Sequence, residues 1–234
     1  MTRWICTLLI GFFLPCAHAQ KTPQRTCRIL FLDGPDSAPD TLHLFDGTRS
    51  QEVDLPRMNL SKLYTLPSGP LTLRFVPKAV TDPTTIPARA PAVTVAETMQ
   101  DMYLLLTSDP GNEIAPVKVQ VINAGTEQLK LGQMLWFNLT ANHIGGTVGR
   151  QKMVLGPQSR SVVDAPASQS EGYPVNLGYR RPGNEALYPL CETKWHHDPR
   201  SRSLVFVIAE QGVRTPRVLA FPDYREAPKE EASP

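Results

Sequence analysis

Proline recurs along the whole chain and leaves no uninterrupted stretch that suits a long helix. There are 23 prolines in 234 residues, about twice ordinary usage, and no run between them keeps a 3.6-residue apolar period. Each proline removes a backbone donor and breaks a helix interior, so the expectation is short strands joined by many turns. The stretch 132–163 carries the pattern in its densest form. Leu135, Phe137 and Leu139 alternate with Met134, Trp136 and Asn138, glycines interrupt at Gly145, Gly146 and Gly149, and a Gly156-Pro157 turn separates Met153-Val154-Leu155 from Val162-Val163. This reads as a β-meander. Its Leu135-Phe137-Leu139 face is expected in the core of the second half, with Trp136 turned away toward another contact.

The first residues read differently. Arg3 supplies a positive start, residues 5–14 a short apolar core, and Ala17-His18-Ala19 the small residues of a cleavage site, which together make a secretory signal peptide over 1–19. The apolar run is too short to span a bilayer core of about 30 Å, so no integral membrane span is expected after cleavage. Removing 1–19 takes away Arg3 and no acid, which lowers the formal charge from +2 to +1. With Lys and Arg scattered singly and no basic stripe, nucleic acid is not an expected partner. Cys6 and Cys16 leave with the leader, and the remaining pair, Cys27 and Cys191, permits one disulfide in an oxidising compartment or two separate buried thiols.

The rest of the chain divides into short strands with turn chemistry between them. The first half offers 27–32, 41–45 closed by Asp46-Gly47, 60–66 and 71–76 as an antiparallel pair around Pro67-Ser68-Gly69, 92–95, and 101–107. Asp109-Pro110-Gly111-Asn112-Glu113 resets the chain, so a domain boundary is expected between Ser108 and Pro116. The second half adds 117–122, the meander, and strands over 173–179, 187–195, 203–208 and 217–221; the charged tail 225–234 is expected to be disordered. Strands at intervals of about 8 to 12 residues suggest sandwiches. The predicted fold is all-β, with two consecutive antiparallel β-sandwich (Ig-like) domains over 27–108 and 116–222 and no exact sequence repeat between them.

Three turn motifs carry a resemblance in the first half: Gly34-Pro35-Asp36-Ser37-Ala38-Pro39, a strand ending in Asp46-Gly47, and Leu66-Pro67-Ser68-Gly69-Pro70-Leu71-Thr72-Leu73. Over 27–107 they resemble a widespread secreted bacterial domain of unknown function. In the second half, Leu135-Trp136-Phe137-Asn138-Leu139-Thr140 and Trp195-His196-His197-Asp198-Pro199-Arg200 look like segments of uncharacterised exported bacterial proteins. The resemblance implies an Ig-like or related exported β-sandwich and no particular activity. Two-domain periplasmic pilus chaperones share the length and leader, and anchor a subunit carboxylate with an Arg and a Lys. Arg28 lies on the first expected strand and Lys118 opens the expected second domain, but no surrounding motif specifies either, and the chaperone roles are not carried over to them.

Most catalytic chemistry lacks its signature. There is no Gly-x-Ser-x-Gly elbow, and Gly145-Gly146-Thr147-Val148-Gly149 precedes no helix that could hold an anion. His196-His197-Asp198, with His43 and His143, lacks zinc-site spacing, and Asp33, Asp36, Asp40 and Asp46 match no calcium loop. No metal and no cofactor are therefore expected. What is left is binding through aromatic side chains, with Trp136, Trp195, Tyr173 and Tyr179 as the candidate contact residues. The functional expectation is a non-catalytic exported binding or structural protein of the bacterial envelope, periplasmic or extracellular, whose partner is an envelope or extracellular protein or a glycan. The alternatives are a pilus-type chaperone and a hydrolase with a site near Asp36, His143 or His197.

Overall fold

The structure is a computed structural model that describes residues 24–210 and 212–224. Residues 1–23, which include the expected signal peptide over 1–19, lie outside the described residues, as do residue 211 and the tail 225–234, expected to be disordered. No helix among the described residues is long and apolar enough to cross a membrane.

Eight strands build the first sandwich: β1 (Thr26–Phe31), β2 (Thr41–Phe45), β3 (Ser50–Asp54), β4 (Tyr64–Thr65), β5 (Leu71–Val76), β6 (Ala92–Val95), β7 (Asp101–Ser108) and β8 (Val117–Asn123). They form one sheet of order β4-β1-β7-β8 and a second of order β3-β2-β5-β6. The pairing is antiparallel except between β1 and β7. Period-2 alternation sets the inward faces: Leu71, Leu73 and Phe75 of β5 are buried while Thr72 is exposed. The Asp46-Gly47 hairpin forms as its sequence predicts. The Asp46 carboxylate accepts from the Thr48 and Arg49 amides at 2.9 Å each, and Gly47 takes a φ of 95° that favours glycine.

The second sandwich contains β9 (Met134–Asn138), β10 (His143–Val148), β11 (Gln151–Leu155), β12 (Ser159–Val163), β13 (Glu171–Arg180), β14 (Tyr188–His197), β15 (Ser201–Ile208) and β16 (Arg217–Tyr224). Its sheets run β12-β9-β15-β16 and β11-β10-β13-β14, again with a single parallel pair, β9 with β15. Adding eight to every strand label of the first sandwich reproduces the second, including which pair is parallel. The chain thus winds the same topology twice, a repeat of path that no repeat of sequence announces.

Three apolar cores fill this arrangement. One lies inside the first sandwich, around Ile29, Phe31, Leu73, Phe75 and Leu104. Another lies inside the second, around Trp136, Ile144, Val175, Tyr179 and Val205. The remaining core joins them: Leu30, Tyr103, Leu105 and Ile122 of the β4-β1-β7-β8 sheet pack on Leu135, Phe137, Leu204 and Phe206 of the β12-β9-β15-β16 sheet. The four sheets are therefore four layers, and the two inner ones are buried on both faces. Each large apolar side chain in that middle core contributes about 1.5–3 kcal/mol when fully buried.

Three sequence expectations are corrected by this stacking. Val117–Asn123, expected to open the second domain, is hydrogen-bonded to β7 throughout and closes the first sheet; the chain crosses between sandwiches over 124–133 instead. Segments 60–66 and 71–76, expected to pair with each other, enter different sheets, β4 joining β1 and β5 joining β2 and β6. The faces of β9 are also exchanged relative to expectation. Trp136 is in the second sandwich's own core, fully buried, while Leu135 and Phe137 face the first sandwich. Alternation separates the two faces of a strand, but it does not say which of two apolar layers each will meet.

Candidate functional site

The four aromatic residues singled out in the sequence all belong to the second sandwich. Trp136 stacks on Trp195 with ring centroids 5.7 Å apart and planes 5° from parallel, and Tyr173 meets Trp195 edge-on at 6.5 Å. Trp136, Tyr173 and Tyr179 are buried; Trp195 is half-buried. Tyr173 and Trp195 also line a cavity of about 350 Å³ with His196, Asp198 and Tyr224. Tyr179 sits at the other end of the same strand pair, opposite Tyr188 at 5.4 Å.

Cys27 and Cys191 are both free thiols. Cys27 lies in the first sandwich's core and Cys191 against the second's, so the permitted disulfide does not form. A bridge requires Cα atoms within about 7 Å, whereas here the two inner sheets stand between the cores. Burial pushes the Cys27 thiol up to about 12, with the nearby Asp101 charge acting the same way.

A buried ionic network centred on Arg202 and Asp223 was not among the candidates read from the sequence. Arg202 of β15 donates to the Asp223 carboxylate at 3.0 Å, to the Asp101 carboxylate, and to the carbonyls of Ala124 and Leu129. The Tyr103 hydroxyl donates to Asp223 at 2.6 Å, and the Arg28 guanidinium lies 3.0 Å from the other Asp223 oxygen. One network therefore crosses the seam from β1 and β7 to β15 and β16. Its only signal in the sequence was an arginine and an aspartate inside otherwise apolar strands. Lys118, compared with Arg28 in the sequence, is exposed on β8, four positions along the sheet from the row that holds Arg28.

The hydrolase candidates lie on separate elements, Asp36 in the loop between β1 and β2, His143 at the start of β10 and His197 at the end of β14. His196 meets the Ser170 hydroxyl at 2.9 Å on the exposed surface, and among the described residues no carboxylate hydrogen-bonds its ring. Asp198 is engaged by Arg200, whose amide and guanidinium donate to it and hold its carboxyl down to about 2. His197 is buried beside Gly132, and burial shifts its pKa downward. Asp33 pairs with Arg217 and Asp40 with Arg57, while Asp36 is exposed on a loop. Among the described residues no three His, Cys, Asp or Glu side chains gather as a metal site would need.

Two adjoining concavities lie on the outer face of the β11-β10-β13-β14 sheet. Register places Val154, Gly145, Gly178 and Pro189 in one outward row across its four strands. Two glycines in that row leave the sheet without side chains along its middle, and a trough results. One cavity of about 570 Å³ lies over Gly145 and Gly146 and reaches His143, Arg180, Arg181 and Glu185. A neighbouring one of about 490 Å³ shares Gly145, Gly146 and Leu187 with it and extends to Asn176, Cys191 and Glu192. Gly146 and Gly178 are crowded by their neighbours, while Gly145 has room for a side chain. A Cβ on Gly146, whose φ is 152°, would collide with the Asn176 carbonyl, and one on Gly178 would come within 2.8 Å of the Leu187 side chain.

The trough's wall is the β13–β14 connection, and it is held in place. Arg181 lies 4.3 Å over the Tyr188 ring and donates to the Tyr179 hydroxyl at 3.3 Å, while the Asn184 side chain accepts from the Ala186 amide at 2.8 Å. At Leu177 and Gly178 the β13–β14 register shifts by a bulge, which re-aims the strand beside the cavity. Val154 and Leu187, 78% and 63% exposed, are its apolar margins. No protein-family model and no curated protein matches the chain.

Proposed function

We propose that this chain is a non-catalytic exported binding protein of the bacterial envelope, and that its ligand lies in the outer trough of the second sandwich. The observation that carries the reading is the pair of contiguous cavities over Gly145, Gly146 and Gly178. Their volumes fall within the about 300–1,000 Å³ usual for ligand sites, with apolar walls and a few convergent polar groups. Export rests on the leader over 1–19, and the partner class is an envelope or extracellular protein, peptide or glycan. The strongest ionic groups support the same reading by being occupied elsewhere. Arg28, which a pilus-type chaperone would offer to a subunit carboxylate, is bound to Asp223 and donates to the Ser61 carbonyl at 2.8 Å.

The test is amide chemical-shift mapping on the mature chain against a panel of short peptides, peptidoglycan fragments and neutral oligosaccharides. Binders are expected to shift resonances of β10, β13 and 181–187. Gly145→Trp should abolish those shifts, since a side chain there meets nothing nearer than the Met153 carbonyl at 3.8 Å and would fill the trough without disturbing the sheet. Binding that maps elsewhere, or that survives Gly145→Trp, overturns the assignment.

A further inference from the structure

The trough is electrically polarised along its length. At one end His143 and Arg180 are cross-strand neighbours, and Arg181 begins the wall. The Arg180 side chain is exposed and makes no hydrogen bond or ion pair among the described residues, and Glu185 is the only acid among the described residues that line that cavity. At the opposite end the row is Lys152, Thr147, Asn176 and Glu192, and of these Asn176 and Glu192 line the second cavity, with Glu192 its only charged group. Lys152 stands on the far strand, outside both cavities. Between the ends the surface is Val154, Gly145, Gly178, Leu187 and Pro189, without charge.

The span can be estimated from the strand itself. Arg180 and Asn176 are four positions apart on β13, which at a rise of about 3.3 Å per residue is about 13 Å. A ligand that complements the site therefore carries an anionic group and a cationic group roughly that far apart, with an apolar, slender body between them. An extended peptide of three residues spans about 10–11 Å between its ends, and its terminal groups reach further.

We infer that the trough binds short apolar peptides in extended form, the free carboxylate at Arg180 and His143 and the free ammonium at Glu192. This rests on the trough being the binding site proposed above. Other ligand chemistries fit less well. Sugar recognition uses exposed rings, whereas the rings here are interior or, in Tyr188, covered by Arg181. A lipid-like carboxylate would match the basic end but would place its tail beside Glu192. Glycines on the floor suit a peptide, because a backbone with small side chains can lie close against them.

The experiment titrates the mature chain with the tripeptide Leu-Ala-Leu carrying free termini, with its C-amidated and N-acetylated forms, and with a neutral N-acetylglucosamine tetramer. Calorimetry gives affinities and amide shifts give location. The free tripeptide is expected to bind in the trough, and each cap to weaken it about fivefold or more, as loss of one charge-assisted contact at a partly exposed site does. Arg180→Gln should abolish the effect of C-amidation and Glu192→Gln that of N-acetylation, without changing thermal stability, since both side chains are exposed. Equal binding of the free and capped peptides, or occupation of the trough by the sugar and not by the tripeptide, overturns the peptide assignment and leaves the trough as the site. If no probe shifts trough resonances while one binds elsewhere, the site itself is wrong and both readings fall.

Discussion

Tyr173 and Tyr64 are held in environments that resist ionisation. Burial is the leading cause in both, and it pushes each hydroxyl up to about 12, against an ordinary value near 10. The Cys27 thiol is raised to about 12 by the same cause. For each, the folded value lies above the unfolded one, so the stabilising contribution is complete below the ordinary pKa and is lost as pH rises through the folded value. The protein should accordingly keep these contributions in full up to about pH 8 and lose stability steadily between about pH 9, where the unfolded thiol ionises, and pH 12, with the tyrosines contributing from about pH 10. Absorbance at 295 nm should show a tyrosine fraction ionising with the unfolding transition and not before it. Tyr173→Phe should remove part of that fraction; complete tyrosine titration near pH 10 in the folded chain would contradict the burial of these rings.

At the scale of the element, β10 is the strand whose composition departs furthest from what a central strand ordinarily contains. It lies between β11 and β13 with Gly145 and Gly146 in its middle, although glycine weakens a strand interior by about 0.5–1 kcal/mol relative to alanine. The positions that face inward, Ile144 and Val148, keep the strand in the core. The glycines are explained by contact: Gly146 lies against the Asn176 carbonyl with a φ of 152°. Gly146→Ala should therefore destabilise the protein by more than about 2 kcal/mol, because the new methyl meets backbone that cannot turn aside. Gly183→Ala, at a φ of 69° with open space around it, should cost only about 1 kcal/mol. Chemical denaturation of the two variants checks the ordering.

At the scale of the whole molecule, the middle core and the ionic network across it make the two sandwiches one unit. Arg202 and Asp223 are nearly inaccessible, and removing one partner leaves a charge buried without its counterpart. Asp223→Asn is expected to cost about 3–5 kcal/mol. The wild-type chain should unfold in one calorimetric transition with the calorimetric and van't Hoff enthalpies equal, and Asp223→Asn should lower its midpoint or split it in two. Two well-separated transitions in the unmodified protein would mean that the seam is an ordinary interdomain contact. An isolated first sandwich ending after Asn123 would expose Leu30, Tyr103, Leu105 and Ile122 together, a patch of the kind that aggregates.

What the amino-acid sequence determined by itself is local in origin. Proline spacing ruled out long helices, Asp46-Gly47 specified a hairpin, and alternation along 71–76 separated inner from outer side chains, because each effect acts within a few residues. The glycines at 145, 146 and 178 are plain in the chain, yet that two of them lie opposite one another and open a trough depends on the pairing of β10 with β13. The tertiary structure alone decided that Val117–Asn123 ends the first sandwich, that Trp136 faces inward, that Cys27 and Cys191 lie in separate cores, and that Arg202 finds Asp101 and Asp223. The physical reason is common to all four. A strand presents two faces and two edges, and the layer or partner that each meets is set by apolar burial summed over the stack of sheets, a quantity that no window of sequence contains.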